Sequence, residues 1–294
     1  MENDSFIDCL KEKLLETLRF TLDFLKKNNL KYCACGGTTL GAVRHKGIIP
    51  WDDDIDLYMP RRDYERLIAI SSELPRYGYS FICFEKDKDY YLPFGKIIDN
   101  NTSIWEYKRF PYMIGVFVDI FPLDYFDTSE QQIALLQKNY LKLFRNYQLS
   151  LNKDRRNKFF SLFKHPITYL PSVILWLKGK NVKKTLYGRL LSLIEKNKDE
   201  EGGKCVCLSM FVGKVFKSEW FDDVIETDFE DFTIAIPHKY DEYLTLMYGD
   251  YMMPPPVDKR GLTHTNMRYY VNLRKRVPIS HAKEAVSKEI RTEI

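Results

Sequence analysis

The sequence has little of several features that define common protein classes. No apolar run approaches the roughly 20 residues that a membrane-spanning helix needs. The first five residues are acidic where a secretory signal would be basic, which predicts a cytoplasmic protein. Internal repeats and low-complexity tracts are absent as well, which argues against fibrous and disordered chains.

The net charge is also small. At +4 over 294 residues it does not indicate nucleic acid as a partner. The charge is unevenly distributed, however, because residues 131–200 contain 15 Lys and Arg but 4 Asp and Glu. This basic block is either a surface for an anionic partner or a solvated helical face.

The chain has six cysteines, and four of them form two closely spaced pairs. Cys33 and Cys35, and likewise Cys205 and Cys207, have one residue between them. On a strand such pairs point the same way into a core. Zinc binding is the alternative, although its usual spacing is two to four residues. We therefore predict buried free thiols.

Hydrophobic spacing predicts alternating helices and strands over the first 125 residues. Apolar residues at three- and four-residue steps predict a helix over residues 5–27. A strand over 30–35, a Gly36-Gly37 turn and a helix starting at Thr38 follow. The alternation over 54–59 predicts a half-buried strand. Further predictions are helices over 61–74 and 239–247, strands over 79–84, 95–98 and 116–121, and a hairpin over 224–237.

These elements predict an α+β protein with a mixed sheet, flanking helices and an additional helical lobe. The predicted units are a core over residues 1–128, a basic helical insertion or lobe over 129–203, and a C-terminal part of the core over 204–278. Residues 279–294 are predicted to form a polar, mobile tail.

The densest group of chemical interest is acidic. Asp52, Asp53, Asp54 and Asp56 place four carboxylates in five positions, which is costly unless a cation lies there. Asp54 and Asp56 project from one face of a strand, so they can share a divalent cation, with Asp52 on the same side if the strand starts early. Oxygen ligands favour Mg²⁺ or Mn²⁺. A solvated acidic turn is the alternative.

Two other features fit chemistry on phosphates. The Gly36-Gly37-Thr38 segment joins a predicted strand and helix, so backbone N–H groups there can approach a phosphate closely. Asp119 is the one acid in the apolar strand over 116–121, where a buried carboxylate needs a metal or a hydrogen-bond partner. Asp124 is a less favoured candidate. No P-loop or dinucleotide-binding motif is present.

The stretch from Cys35 to Asp56, CGGTTLGAVRHKGIIPWDDDID, resembles the signature of the LicD family of phosphotransferases, relatives of fukutin and fukutin-related protein. Three more blocks resemble the family: FGKIID with Thr102, VDIFPLD ending at Asp124, and YGDYM followed by residues up to His264. The motifs that carry the resemblance lie in about residues 1–125 and 205–265, and the resemblance says nothing about the basic block between them.

The resemblance implies a nucleotidyltransferase-like fold and a set of site residues. In that fold Gly36, Gly37 and Thr38 would hold phosphate. Asp54, Asp56 and Asp119 would hold Mg²⁺ or Mn²⁺, and these three are the catalytic candidates. Asp52 and Asp53 would lie next to these ligands without being ligands themselves.

The resemblance also implies a reaction. A substituted phosphate such as phosphocholine would move from a CDP-linked alcohol to a hydroxyl of a cell-surface glycan, for example lipopolysaccharide or teichoic acid, or of its lipid-linked precursor. The alternatives are nucleotidyl transfer from a nucleoside triphosphate, glycosyl transfer, and a catalytically silent protein that binds nucleotides or glycans. The identity of the transferred group stays open at this point.

Basic residues near the signature are candidate ligands of the donor phosphates. Arg44 and Lys46 could neutralise a diphosphate, and Lys96 is a third candidate with an ordinary strand-edge lysine as the alternative. His45 is either a proton carrier or a structural loop residue. An aromatic cage for a choline group is a further hypothesis. Its candidate members are Trp51, Trp105, Tyr107, Tyr248 and Tyr251.

The basic block contains two apolar runs, at residues 159–163 and 167–177, with basic residues on both sides. The residues from His165 to Leu177 lack charge, and the segment is too short to span a bilayer but long enough to lie in its interface. Peripheral contact with the inner face of the plasma membrane is therefore one prediction. Helices that pack only on the catalytic core are the alternative.

Overall fold

The computed structural model describes residues 2–152, 162–197, 202–211, 213–261 and 268–293. Outside these ranges lie three groups named above: the basic run at 153–158, residues 159–161 of the first apolar run, and His264.

The helices are α1 (Glu2–Lys27), α2 (Gly36–His45), α3 (Arg61–Ile70), α4 (Glu130–Leu151), α5 (Pro166–Leu177), α6 (Val182–Asn197), α7 (Glu219–Asp222), α8 (Tyr240–Tyr248) and α9 (Ile279–Ser287). The strands are β1 (Cys33–Ala34), β2 (Asp56–Pro60), β3 (Tyr79–Ile82), β4 (Gly95–Asp99), β5 (Ser103–Trp105), β6 (Phe117–Phe126), β7 (Lys204–Val206), β8 (Phe216–Lys217), β9 (Val224–Phe229), β10 (Phe232–Pro237), β11 (Tyr270–Asn272) and β12 (Thr292–Glu293).

A mixed sheet built around β6 forms the centre of the protein. The strand order is β1-β2-β6-β4-β3, and β7 pairs with the later half of β6 and then with β8. The β2–β6 pair is parallel, whereas β1–β2, β4–β6 and β3–β4 are antiparallel. Apart from the half-buried Tyr125, every residue of β6 is buried, as expected for a central strand with both faces covered. The α+β prediction with a mixed sheet is therefore confirmed.

Helices cover the sheet with the apolar faces that the sequence periodicity predicted. Leu10, Leu14, Leu18 and Leu25 of α1 are buried in the main core, where α1 packs on β4 and β6. Helix α3 packs on β2 and β6. Helix α2 packs on α8 and on the β9–β10 hairpin, which spans residues 224–237 as predicted and turns at Glu230 and Asp231.

The basic block forms helices with a core of their own. Helix α4 begins after Ser129, whose side chain accepts a hydrogen bond from Gln132 N at 3.3 Å, and it packs against α5 and α6. The shared core is rich in aromatic residues and includes Phe84, Tyr90 and Tyr91 from the loop after β3. The loop thus joins the helical lobe to the sheet. The division of the chain into units stays a prediction.

Several local expectations differ from the structure. Gly36 and Gly37 are the first two residues of α2 rather than a turn before it, and the strand expected over 30–35 has only two residues. Residues 279–293 contain α9 and β12, where Ala282 and Ala285 are buried. The polar sequence after Pro278 indicated a mobile tail, but small residues on one helix face let α9 pack closely.

Four of the six thiols lie together in one apolar cluster. Cys33, Cys35, Cys205 and Cys207 are buried there, and all six cysteines are free. Burial raises the pKa of Cys35 well above its usual range, so its thiol stays protonated. Among the described residues, no helix combines the length and apolarity that crossing a bilayer requires.

Candidate active site

Three carboxylates converge where β2 and β6 begin. The parallel register of these strands sets Asp56 beside Asp119. Asp54 lies two residues before Asp56, so its side chain projects from the same face. Ligand oxygens of Asp54, Asp56 and Asp119 all lie within 4.8 Å of one another. The structure therefore brings together the three acids that were expected to hold a metal.

A second acidic group lies directly before the strand. Oxygens of Asp52, Asp53 and Asp54 also lie within 4.8 Å of one another, which makes Asp54 common to both groups. Asp53 is fully buried, and Arg268 Nη2 donates to its carbonyl oxygen at 2.7 Å. Arg268 Nη1 also lies 3.8 Å from Asp53 Oδ2. Arg268 is 215 residues away in sequence, and sequence reasoning missed it.

The crowding of these acids disfavours their charged forms. Burial, followed by repulsion from Asp54, raises the pKa of Asp56 well above its usual range and that of Asp52 to about 7. Asp56 Oδ1 is buried and has no hydrogen-bond partner among the described residues. A divalent cation fits this group because it supplies the missing partner and offsets the repulsion, and oxygen donors suit Mg²⁺ or Mn²⁺.

Lys96 lies beside the acids on β4. Its Nζ donates to Asp119 Oδ1 at 2.6 Å and lies 3.7 Å from Glu106 Oε1. Burial by itself would lower the pKa of Lys96, but Asp119 and Glu106 more than offset this, and the pKa is raised. Lys96 is therefore a buried cation paired with Asp119. Its predicted contact with phosphate stays a prediction.

Glu106 extends this network away from the cluster. It accepts a hydrogen bond from the hydroxyl of Tyr91, a fully buried residue in the core of the helical lobe. Neither Glu106 nor Tyr91 was expected at the site. The available signal was that Glu106 follows the FGKIID block by seven positions, but its contact with Lys96 depends on where the chain after β5 lies relative to β4.

The start of α2 faces the acids. Gly36 has φ of +52°, a conformation that favours glycine, and its N–H donates to Tyr243 Oη at 2.8 Å. Thr38 Oγ1 accepts from Asp56 N at 2.8 Å, so its hydroxyl fixes the strand that carries the metal candidate. Gly37 N–H has no protein acceptor among the described residues, which leaves a donor for phosphate at the positive end of the helix.

Gly37 also makes room for an acid. A Cβ added at Gly37 would lie 2.8 Å from Asp52 Oδ2, closer than such atoms approach. We expect Gly37→Ala to displace the Asp52 carboxylate and to lower activity by about 10- to 100-fold with little loss of stability. Gly188→Ala in α6 is the matched control, because an added methyl group there meets no atom within 4 Å. It should leave activity unchanged and stabilise the fold by about 0.5–1 kcal/mol. Equal activity of the two variants in steady-state assays would contradict this reading.

A cationic and aromatic rim lies next to this helix. Trp51 has the guanidinium of Arg260 at 4.6 Å and that of Arg44 at 5.9 Å from its ring centre. Arg44 Nη1 donates to the carbonyl of Tyr251 at 2.6 Å. Burial and Arg260 lower the pKa of Arg44. Arg260 was not expected here, since it follows the proline run and no spacing ties it to Trp51.

The surroundings of His45 and Lys46 bear on the roles predicted for these two residues. Burial, Arg44 and Arg260 lower the pKa of His45, so the ring is neutral at neutral pH. Lys46 follows the last residue of α2, about 15 Å along the helix from Gly36. It is exposed there, and its carbonyl accepts from Glu230 N at 2.7 Å. The structure does not bring Lys46 to the acids.

The aromatic residues proposed as a cage separate into different groups. Trp105 is buried beside Tyr269, and Tyr107 contacts Tyr91. Tyr251 donates to Asp241 Oδ1 at 2.6 Å. Burial, followed by nearby groups that include the acids, raises the pKa of Tyr248, whose hydroxyl would lie 3.6 Å from a Cβ on Gly36. Tyr248 is therefore beside the phosphate-binding candidates, whereas Trp105 and Tyr107 belong to other clusters.

Asp124, the less favoured candidate, forms a buried ion pair away from the acidic groups. Arg61 forms a two-pronged ion pair with it, with Nε and Nη2 at 2.8 and 2.9 Å from the two carboxylate oxygens. Both side chains are buried. Asp124 lies five residues beyond Asp119 on β6 and outside both acidic groups.

Comparison with known proteins finds a family and several relatives that match this chain. The family described as LicD/FKTN/FKRP, nucleotidyltransferase domain, matches residues 29–178. The chain is 29% identical over 268 residues to the lipopolysaccharide cholinephosphotransferase LicD of Haemophilus influenzae, covering 88% of this chain and 97% of that protein. It is 45% identical over 49 residues to the human ribitol 5-phosphate transferase FKRP, covering 17% of this chain and 10% of that protein. An uncharacterised protein of Rickettsia typhi is 32% identical over 117 residues, 40% of this chain and 36% of that protein.

Proposed function

Since the chain belongs to the LicD family of phosphotransferases with a nucleotidyltransferase domain, we propose that it transfers an alcohol-phosphate group from a CDP-linked donor to a hydroxyl of a cell-surface glycan or its lipid-linked precursor. Phosphocholine is the group we favour, because the relative that aligns along most of both chains is a cholinephosphotransferase. Ribitol phosphate is the second candidate, from the shorter match to FKRP.

The observation that supports this reaction is the carboxylate group at the head of β2 and β6. Asp54, Asp56 and Asp119 would hold the Mg²⁺ or Mn²⁺ ion, with Asp52 and Asp53 behind them. Bound there, the ion would supply positive charge to offset the negative charge of the donor's phosphates. Asp56 Oδ1 is buried and has no hydrogen-bond partner among the described residues, as expected for an oxygen that would bind the ion.

The residues around the acids would bind and orient the donor. Gly37 N–H and the start of α2 face the group that would carry the diphosphate. The guanidinium groups of Arg44 and Arg260 both lie near the Trp51 ring and add positive charge at the rim. Tyr248 lies over Gly36 and can position the alcohol or the base.

The proposed transfer is an in-line displacement at phosphorus. The acceptor hydroxyl oxygen forms a bond to the β-phosphorus of the donor, and the bond from that phosphorus to the bridging oxygen breaks, which releases CMP. The hydroxyl proton passes to a carboxylate of the cluster, for which Asp119 is the candidate. Lys96 balances the charge of Asp119 before the proton arrives.

Product mass tests the proposal. The protein is incubated with Mg²⁺, a lipid-linked glycan extract and a panel of CDP-alcohols that includes CDP-choline and CDP-ribitol. We expect CMP release and an acceptor heavier by one alcohol-phosphate. With nucleoside triphosphates instead, an acceptor that gains a nucleotide would replace this proposal by nucleotidyl transfer. Cleavage of no donor by a protein that still binds Mg²⁺ would favour a silent binding protein.

Metal binding should depend on pH in a defined direction. The pKa of Asp52 is raised to about 7 in the folded, metal-free protein, above its usual value of 3.8. The stability from the bound proton is therefore present below pH 3.8 and is lost as the pH rises through about 7. A cation then replaces the proton. We expect Mg²⁺ to raise the melting temperature more at pH 8 than at pH 6. An equal rise at both pH values would contradict this.

A further inference from the structure

Helix α5 has an apolar side that faces solvent. Six large apolar side chains on this helix and just before it are exposed over 41–79% of their surface. They are Phe163, Ile167, Leu170, Ile174, Trp176 and Leu177. The spacing of Ile167, Leu170, Ile174 and Leu177 puts these four residues on one helix face. A soluble monomer seldom leaves so many large apolar side chains together in water.

The opposite side of α5 is attached to the protein. Ser172 and Leu175 are buried against the lobe. Ser172 Oγ donates to Asn146 Oδ1 of α4 at 2.7 Å. The apolar face is thus what remains exposed after α5 has packed, and we will call Ile167, Leu170, Ile174 and Leu177 the α5 face.

The charges around the α5 face have one sign. Residues 162–194 contain six Lys and Arg residues and no Asp or Glu. Lys164 precedes the helix, and Lys178, Lys180 and Lys184 follow it, all exposed. Within α5 itself there is no charged residue. An apolar strip between lysines is complementary to a surface with negative headgroups above an apolar layer.

Hydrogen bonds and ion pairs link α4, the helix that holds α5, to the candidate site. Gln148, half a turn from Asn146 on α4, donates to the carbonyl of Tyr91 at 2.7 Å. Tyr91 in turn contacts Glu106, which lies next to Lys96 and Asp119. Four successive contacts therefore connect the helix turn that holds α5 to the catalytic acids.

We propose that the α5 face binds the surface of a membrane rich in anionic lipid, with α5 lying in the plane of the interface. At 12 residues α5 is about 18 Å long, too short to cross the apolar layer. A second copy of the chain is a poorer partner, because pairing two α5 faces would bring the lysines at their ends together. The proposal does not depend on which group the enzyme transfers.

Vesicle binding tests the proposal. The whole protein is mixed with phosphatidylcholine vesicles with or without about 30% phosphatidylglycerol at low salt, and bound protein is measured by cosedimentation. We expect binding to the anionic vesicles only, with loss at high salt. The variant L170S/I174S/L177S should reduce the partition coefficient by about 100-fold. K178Q/K180Q/K184Q should reduce it by about tenfold.

Matched controls separate the α5 face from general effects of the substitutions. Leu135→Ser removes another exposed leucine, on α4, and K26Q/K27Q/K31Q removes three exposed lysines elsewhere. Both should bind like the original protein. Blue-shifted fluorescence with vesicles that disappears in Trp176→Phe would place α5 itself at the lipid, and this readout holds even if a triple variant folds poorly. No binding at low salt, binding unaffected by the α5 variants, or a dimer in light scattering that the α5 variants dissociate would each overturn the proposal.

Discussion

Replacing Asp56 by Asn is expected to lower the transfer rate by on the order of 10³-fold, while the metal-free protein keeps its melting temperature or gains slightly. The Asp56 carboxylate is buried beside Asp54 and Asp119, so replacing it by a neutral amide relieves the repulsion between the acids. No hydrogen bond to Asp56 Oδ1 is lost, because this atom has no partner among the described residues. The increase in melting temperature with Mg²⁺ should disappear at the same time. Steady-state assays and thermal denaturation with and without Mg²⁺ measure both effects.

The control for Asp56→Asn is Asp228→Asn. Asp228 is exposed on β9 and belongs to neither acidic group. It should keep full activity and the full response to Mg²⁺. Asp119→Asn makes a further comparison, because it leaves Lys96 buried with a weaker partner and should also destabilise the fold. An Asp56→Asn protein that retains full activity would remove Asp56 from the metal site.

Replacing Arg61 by Met is expected to lower the free energy of unfolding by about 3–5 kcal/mol. Arg61 is buried between Asp124 and Glu85, with Nη1 at 3.6 Å from Glu85 Oε1. Burial by itself would lower the pKa of Arg61, but Asp124 raises it more, so the guanidinium stays charged. Without it, Asp124 would be left buried as an uncompensated charge. Urea denaturation monitored by circular dichroism measures the loss.

Arg66→Met is the control for the buried ion pair. Arg66 pairs with Asp63 at 2.6 Å, but its side chain is 48% exposed, and the loss should stay below about 1 kcal/mol. The double variant R61M/D124L removes both charges and should recover much of the stability lost by Arg61→Met. If Arg61→Met were no more destabilising than Arg66→Met, the ion pair would not be a major support of β6.

The acids and the glycines of the candidate site could be predicted from the sequence because they are close together in it. Asp54 and Asp56 share a face through the period of a strand, and Gly36, Gly37 and Thr38 stand at a helix start. Asp119 could be predicted as well, since a single acid among buried apolar residues needs a partner. Helices were also predicted for the basic block.

The partners of those residues could not be predicted in the same way. Arg268 reaches Asp53 across 215 positions, and Lys96 meets Asp119 because β4 pairs with β6 in one particular register. A shift of that register by one residue would turn Lys96 to the other face of the sheet. The order of the segment after Pro278 could not be predicted either, because α9 packs on a surface that β5 and β11 build.

The sequence by itself determined the chemistry available to this protein: a phosphotransferase family, oxygen ligands for a divalent cation, and an uncharged apolar helix between lysines. The family follows from the resemblance of the motifs, and the acidic group and the uncharged helix follow from residue type and local spacing, which do not depend on the rest of the chain. Only the tertiary structure decided that Lys96 pairs with Asp119, that Arg61 pairs with Asp124, and that the apolar face of α5 points to solvent. Those outcomes depend on strand register and helix packing, which bring together residues far apart in sequence.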